Sequence, residues 1–473
     1  MPLSIPRALY LMCALIVGCA HYAPKPLSPE RTLQTLQSRR LTDEAVLAAV
    51  RTRTGDRSAP PGAPLAWDRA ELLVAALELN PTLGEARAAL AQTRAGLRTA
   101  RELQNPTVGL SSEYDVTRAG ESPWLWGLAT SVLLDTFASR NTRIDLAQAG
   151  IRGAAADFNE SVWTVRHDLR SALLGVVITS RRLSALQNDV RLRTDSLRLA
   201  RARVAAGEGA RPDSLQAELE LARTQSALDD ARGALADFNA NLAAALGVSV
   251  AALSGVTPRW DDVDSPQPVP EPALASLRER ALLSRATMAR AIADYDAREL
   301  DLKHKMSAQY LQASLGPGYT YDHGVRKVTF GASIALPIFN RNEGPIAEAY
   351  AARETAGRHV LAVQAGILGE VEAATATYAS ALQALTRIRE QRAASEQLVR
   401  STRRALEIDA TDRPSALAAE LAASTERLAE IDALERAQQA LGALEDALHA
   451  PVAGPETRLN LSDDSLSQRS ERP

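Results

Sequence analysis

The chain has 473 residues, 54 Lys and Arg against 57 Asp and Glu, and only 4% aromatic side chains. A pI near 6.2 lacks the polybasic footprint that a nucleic-acid binder needs. The length suffices for about two or three ordinary domains, and the abundance of Ala, Leu, Arg and Glu favours long helices over a compact mixed fold.

At the N-terminus, Arg7 precedes the apolar run ALYLMCALIV, residues 8–17, which is too short to span a bilayer as a helix and suits an export signal. The run ends in IVGC at residues 16–19, which resembles a bacterial lipoprotein cleavage box, where small residues precede the Cys that is acylated and becomes the new N-terminus. Residues 1–18 are then a removed signal peptide and 19–63 a lipid-anchored N-terminal segment. Cys13 and Cys19 are the two cysteines, so the processed chain can form no internal disulfide and the expected covalent group is a lipid on Cys19, with no other cofactor. Ala20 stands after it where lipoproteins retained in the inner membrane carry Asp, so the resemblance implies an outer-membrane anchor. The alternative is an ordinary secretory signal with a chance Cys.

Farther on, the chain repeats itself. SVLLDTF at 131–137 aligns with SIALPIF at 333–339, and RPDSLQAEL at 211–219 with RPSALAAEL at 413–421, both at an offset of 202 residues. Each copy predicts a helix, a two-stranded excursion, a very long helix and a shorter returning helix. The first copy, 64–255, places these at 66–104, 106–136, 143–206 and 212–246; the second, 273–450, at 273–305, 309–339, 343–408 and 414–449. The Pro-rich segment 256–272 reads as a linker and 451–473 as a disordered polar tail. Leu183, Val190, Leu197 and Val204 recur every seven residues with Leu186 and Ala200 as partners, and Leu385, Val399 and Leu406 repeat the pattern, so the long helices pack in coiled-coil fashion. Pro212 and Pro414 follow polar breaks that include Gly207, Arg211 and Arg413, as expected for hairpin tips.

The predicted strands alternate with period two. Val108, Leu110, Tyr114 and Val116 share one face of the first; Trp124, Trp126, Leu128, Val132 and Leu134 of the next; Leu311, Ala313, Leu315, Tyr319 and Tyr321 of the third; Val328 to Leu336 of the fourth. Such faces suit either a sheet covered by helices or a membrane barrel. The helices are committed to one another, and Tyr114, Trp124, Trp126, Tyr319 and Tyr321 fall near strand ends, where interfacial aromatics belong. Export and the absence of another apolar span tip the balance to the barrel. Four strands cannot close one, and an open edge is not tolerated in lipid, so copies must associate. Strand arithmetic alone allows two copies or three.

The segment 76–115, ALELNPTLGEARAALAQTRAGLRTARELQNPTVGLSSEYD, the string LPIFNRNEGPIAEA at 336–349 and the Arg-Pro tips resemble the TolC-like outer-membrane factor family of efflux proteins over nearly all of the mature chain. The LPxFxRNxG form is most similar to its heavy-metal cation branch. The resemblance implies a mainly helical fold with a membrane β-part: three copies form a twelve-stranded barrel continued by a helical periplasmic tunnel. It also implies an adaptor docked on the tips, an inner-membrane RND-type pump behind it, and passive conduction. Pro337, Phe339, Asn340, Arg341, Asn342 and Gly344, with Phe137, Arg140 and Asn141 in the first copy, would form the turn from barrel wall to tunnel. Relatives carry acidic residues just past the second tip, whereas this chain has Ser415 and Ala418 there; Asp409, Asp412, Glu420 and Asp213 are the nearby substitutes for a gate.

Enzyme chemistry finds little support: the six His are scattered, and no HExxH motif, Cys cluster or Gly-rich phosphate loop occurs. Asp322 and His323 in a strand loop could touch cations, though exposed loop polarity explains them as well. The competing functions are drug export or polypeptide secretion through the same channel, or a non-conducting lipoprotein scaffold that spans the periplasm.

Overall fold

A computed structural model of the protein describes residues 22–55, 65–117, 122–134, 137–307, 309, 312–335 and 338–459. Cys19, Leu311, Leu336 and Pro337 lie outside the described residues.

The N-terminal part holds α1 (Pro29–Ser38), α2 (Glu44–Thr54), a short β1 (Leu65–Trp67) and α3 (Arg69–Leu79). Then come α4 (Pro81–Arg101), β2 (Thr107–Tyr114), β3 (Trp124–Leu134), α5 (Phe137–Ala205) and α6 (Arg211–Leu246). After β4 (Val256–Pro258), the order recurs as α7 (Glu271–Ser284), α8 (Ala286–Ser307), β5 (Gln312–Asp322), β6 (Val325–Ala335), α9 (Glu343–Glu407) and α10 (Arg413–Leu448). The returning helices α6 and α10 are displaced by the repeat offset at both ends.

With 69 residues, α5 is about 100 Å long at about 1.5 Å per residue. Leu186 on α5 buries against Leu228 and Ala231 of α6, flanked by Leu183 and Val190, which realises the heptad seam. The helices form a wall. On the strand side α4, α5, α8 and α9 lie side by side; toward the tips α6 and α10 replace α4 and α8, so α5 and α9 run the full length.

The exchange occurs at an equatorial belt, and here the sequence pattern misleads. The helix predicted over 66–104 is two: α3 ends at Asn80, whose Oδ1 caps α4 by accepting from Thr82 N at 2.8 Å, with Pro81 at the first helical position. The helix predicted over 273–305 likewise breaks at Arg285. Helical periodicity continues through both breaks, so only the cap chemistry of Asn80 and Pro81 carried a signal. Leu72 to Leu77 of α3 are buried all round, so α3 is a core helix rather than the outer part of a longer one.

Two further expectations fail. The presumed linker is built into the belt: β4 pairs parallel with β1, and Trp260 and Val263 are buried. Within the predicted polar tail, Pro455–Arg458 form a 3-10 turn that buries Glu456. Composition reads both segments as solvated because their few apolar and charged anchors meet partners far away in sequence.

Candidate functional site: a sheet with two open edges on a helical wall

The four strands make one sheet in the order β2-β3-β5-β6, all antiparallel. β3 of the first repeat therefore pairs with β5 of the second, and β2 and β6 are edges without a partner strand among the described residues. The register stacks Leu110, Leu128, Tyr319 and Val328 in one row across the sheet, and Val108, Thr130, Pro317 and Phe330 in the next. Most of this face is uncovered: Leu110 is 83%, Val328 85% and Phe330 72% exposed, while Thr130, Leu315 and Tyr321 are half-buried. The opposite face is mostly polar or small, with Ser111, Gly127, Thr320 and Lys327 in one row and Gly109, Ala129, Gly318 and Thr329 in another; Leu125, Leu133 and Val325 are its large apolar members. A wall that is apolar on one side and polar on the other is the division a membrane barrel requires. No described helix is long and apolar enough to cross a membrane.

Aromatics mark the hairpin end of this face. Tyr114 meets Trp124 edge-on at 4.8 Å, and Trp124 stacks on Trp126 at 5.4 Å. Tyr321 lies opposite Trp126, whereas Tyr319 sits one row deeper, beside Leu128. Val116 falls in the turn beyond β2. His323 and Gly324, both at positive φ, form the two-residue turn between β5 and β6, and His323 Nδ1 lies 2.9 Å from the Ser122 carbonyl. At Gly316 a Cβ would collide with the Thr130 carbonyl, so close contact between β3 and β5 demands glycine there.

At the other end of the sheet the strands pass into α5 and α9. Arg140 and Asn342 occupy the same position in the two repeats and make equivalent contacts. Arg140 Nη2 donates to the Arg101 carbonyl at 2.8 Å, and Asn342 Nδ2 to the Lys305 carbonyl at 2.7 Å. Each pins the start of a long helix to the last turns of the helix before it. In the second repeat Phe339, Asn340 and Arg341 precede the helix, Asn340 Oδ1 accepts from Asn342 N, and Gly344 lies inside the first turn. In the first repeat α5 already begins at Phe137, so Arg140 and Asn141 are helical.

The two tips are equally regular. Gly207 and Asp409 hold the same repeat position and both have positive φ, at 74° and 53°. Asp is among the few residues tolerated in that conformation, which gives Asp409 a local reason to be there. Asp213 accepts from Ala210 N at 3.2 Å, and Asp412, at the position equivalent to Ala210, accepts from Ser415 N at 3.0 Å. Each tip thus uses one half of a reciprocal capping box. The Ser415 contacts hold the Asp412 carboxyl below the usual carboxylate range. Glu420 pairs with Arg403 at 2.9 Å. Pro212 and Pro414 stand at the second position of the returning helices, after Arg211 and Arg413.

An ion network that sequence reasoning missed lies in the belt. Arg166 is fully buried and donates to Glu445 and Glu456, each at 2.6 Å; Arg170 lies 3.3 Å from Glu445 and donates to the Gln438 carbonyl at 2.8 Å. Burial alone would raise the Glu445 pKa, but Arg166 and Arg170 outweigh it and hold the group ionised. The partners lie almost 300 residues apart, which no local pattern reveals. Beside the network a cleft of about 560 Å³ opens where α10 ends and α8 begins, lined by Glu160, Trp163, His167, Arg285, Asp446 and His449. His167 Nδ1 bonds Asp446 at 2.6 Å, which raises its pKa, while burial, with Arg285 and Arg166 nearby, pushes His449 down to about 3. Among the described residues no group of three His, Cys, Asp or Glu is placed to hold a metal ion.

Comparison with known proteins agrees with this geometry. The signature of the outer membrane efflux protein family matches residues 72–248. The cobalt-zinc-cadmium resistance protein CzcC of Cupriavidus metallidurans is 27% identical over 297 residues, 59% of this chain and 65% of the relative, less than two thirds of that relative's length. A membrane protein from Pseudomonas aeruginosa superposes with a TM-score of 0.67 at 20% identity, over 83% of this chain and 96% of that one. CusC, whose crystal structures concern folding and transmembrane channel formation, superposes with a TM-score of 0.66 at 19% identity, over 84% and 96% of the two chains. Residues 72–248 thus carry the signature of the outer membrane efflux protein family, and the fold of the chain is like that of CusC.

Proposed function

We propose that this chain is the outer-membrane conduit of a three-part export system and that three copies close its ring, giving twelve strands and an open lumen. The observation that carries this is the sheet: an uncovered apolar face, a polar opposite face and two open edges, joined directly to helices about 100 Å long. β6 of one copy would pair with β2 of the next, antiparallel, which removes every edge from lipid. Conduction is passive. An inner-membrane RND-type pump supplies energy, and a periplasmic adaptor docks on the tips at Gly207, Arg211, Pro212, Arg413 and Pro414. Asp409, Asp412, Glu420 and Asp213 surround the entrance there. A lipid on Cys19 anchors the N-terminus in the outer membrane.

The cargo we propose is heavy-metal cations, supported by the likeness to a cobalt-zinc-cadmium resistance protein. The ions would pass hydrated, and selection would lie in the pump. Two measurements test this. Purified protein in planar bilayers is expected to give stable conductance; its absence would favour a scaffold without a pore. A deletion strain is expected to lose survival on zinc, cobalt or cadmium; unchanged metal survival with lost drug tolerance or polypeptide secretion would move the cargo to those classes.

A further inference from the structure

The helix α1 carries Leu33 and Leu36 on one side, 53% and 40% exposed, and buries no residue. Among the described residues it packs on no other helix or strand of its own chain beyond grazing contact. A helix of 10 residues is shorter than the roughly 12–15 at which isolated helices become even marginal in water, so it needs a surface to lie on.

Its end is fixed. Arg39, directly after α1, donates to the Leu79 carbonyl at 2.7 Å and to the Gly247 carbonyl at 3.2 Å. These carbonyls mark the start of α4 and the end of α6, the two helices that form one edge of the wall. Lipid is out of reach: the strands begin beyond α4, 21 residues or about 32 Å away, and α1 covers only about 15 Å. The tips lie a whole α6 away, 36 residues or about 54 Å. What a closed ring brings to this edge is α9 of the adjacent copy. On α9, Leu361 and Leu368 are 58% and 38% exposed. Seven residues apart, they share one stripe about a quarter-turn from Ile367 and Val371, which are buried in the cluster with Leu274 of α7.

We propose that α1 is a clasp between subunits, Leu33 and Leu36 of one copy packing on the Leu361 and Leu368 stripe of the next. The clasp rests on the ring proposed above. It would add a contact at the equator to the strand pairing in the membrane.

Full-length protein carrying Leu36→Cys and Leu368→Cys, and separately Leu33→Cys and Leu361→Cys, is oxidised in detergent and run on non-reducing gels, with the native chain and a Leu36→Cys, Ala373→Cys variant as controls. Light scattering on the same samples reads the size of the assembly. The expected result is a ring of three in solution and a shift from the band of the 50.6 kDa chain to covalent dimers and trimers in the two test variants alone. A ring of three without the ladder in either pair, or a ladder equally strong in the Ala373→Cys control, overturns the clasp and leaves the conduit standing. Absence of the ring overturns the conduit reading and the clasp with it. Leu33→Glu with Leu36→Glu is expected to lower the fraction running as a ring severalfold on dilution, and an unchanged fraction would count against the clasp.

Discussion

The strand sheet and the equatorial belt solve opposite problems. In the belt each chain satisfies itself: α3 is buried on every side, and the charges of Arg166, Arg170, Glu445 and Glu456 neutralise one another away from water. In the sheet the strands pair with one another, but much of the apolar face is bare and, among the described residues, β2 and β6 have no outer partner strand. The belt can therefore fold as a monomer, whereas on the proposed reading the sheet is complete only in lipid and only with neighbours.

The largest expected effect lies in the belt. Arg166→Met leaves Glu445 and Glu456 buried with less compensation, a loss expected to cost about 3–5 kcal/mol. Thermal unfolding followed by helical circular dichroism should show it as a clearly lowered Tm. Replacing Arg166, Arg170, Glu445 and Glu456 together with apolar residues should restore most of the loss; equal damage from both would show that the network itself, rather than the orphaned charges, stabilises the belt.

The sheet gives the converse. Val328→Lys puts a charge on the bare face, expected to cost about 2–4 kcal/mol at the bilayer midplane and less toward its surfaces. Membrane-inserted protein should fall while the Tm of the helical part stays put. Lys327, one residue away on the other face, is the internal control: Lys327→Val should not improve insertion. If both substitutions act alike, the two faces do not divide lipid from water.

A third expectation concerns pH. His449 is neutral in the fold down to about pH 3, while an unfolded His takes up its proton near 6.5. Stability is thus present above that value and is lost as pH falls from about 6.5 toward 3, by at most about 1.4 kcal/mol per pH unit. His167 has the opposite sign, because Asp446 raises its pKa: its contribution is full below about 6.5 and fades as pH rises through its raised value. Urea unfolding between pH 4 and 8 should show the acid-side slope, and His449→Phe, which keeps a ring against Trp163, should flatten it.

The smallest effect is expected at the tip. Asp412→Asn keeps a capping oxygen toward Ser415 N and removes only the charge. If its carboxylate serves the helix end alone, stability and conductance stay as they were; a change in cation selectivity would instead put that charge in the conducting path.

Several features were legible because they are local. Period-two alternation marks the strands and their two faces, a seven-residue recurrence marks the long helices, and Pro after a polar break marks the tips. Arg140 and Asn342 fell within the suspected turn segments, but what they hold, the carbonyls of Arg101 and Lys305, depends on two helices lying side by side. The four suspected gate carboxylates are likewise visible as acidic residues near a tip, while the caps of Asp213 and Asp412 and the pair of Glu420 with Arg403 follow only from coordinates.

By itself the sequence determined the lengths of the long helices, the position of the tips, the two-sidedness of the strands and the repeat, because each is written in spacing that a short stretch of backbone reads directly. Only the tertiary structure decided that the helix runs break at Asn80 and Arg285, that β3 pairs with β5 across the repeats, and that the tail returns to bury Glu456 against Arg166. Those outcomes depend on partners more than a hundred residues away, whose contact energy exists only once the wall has formed.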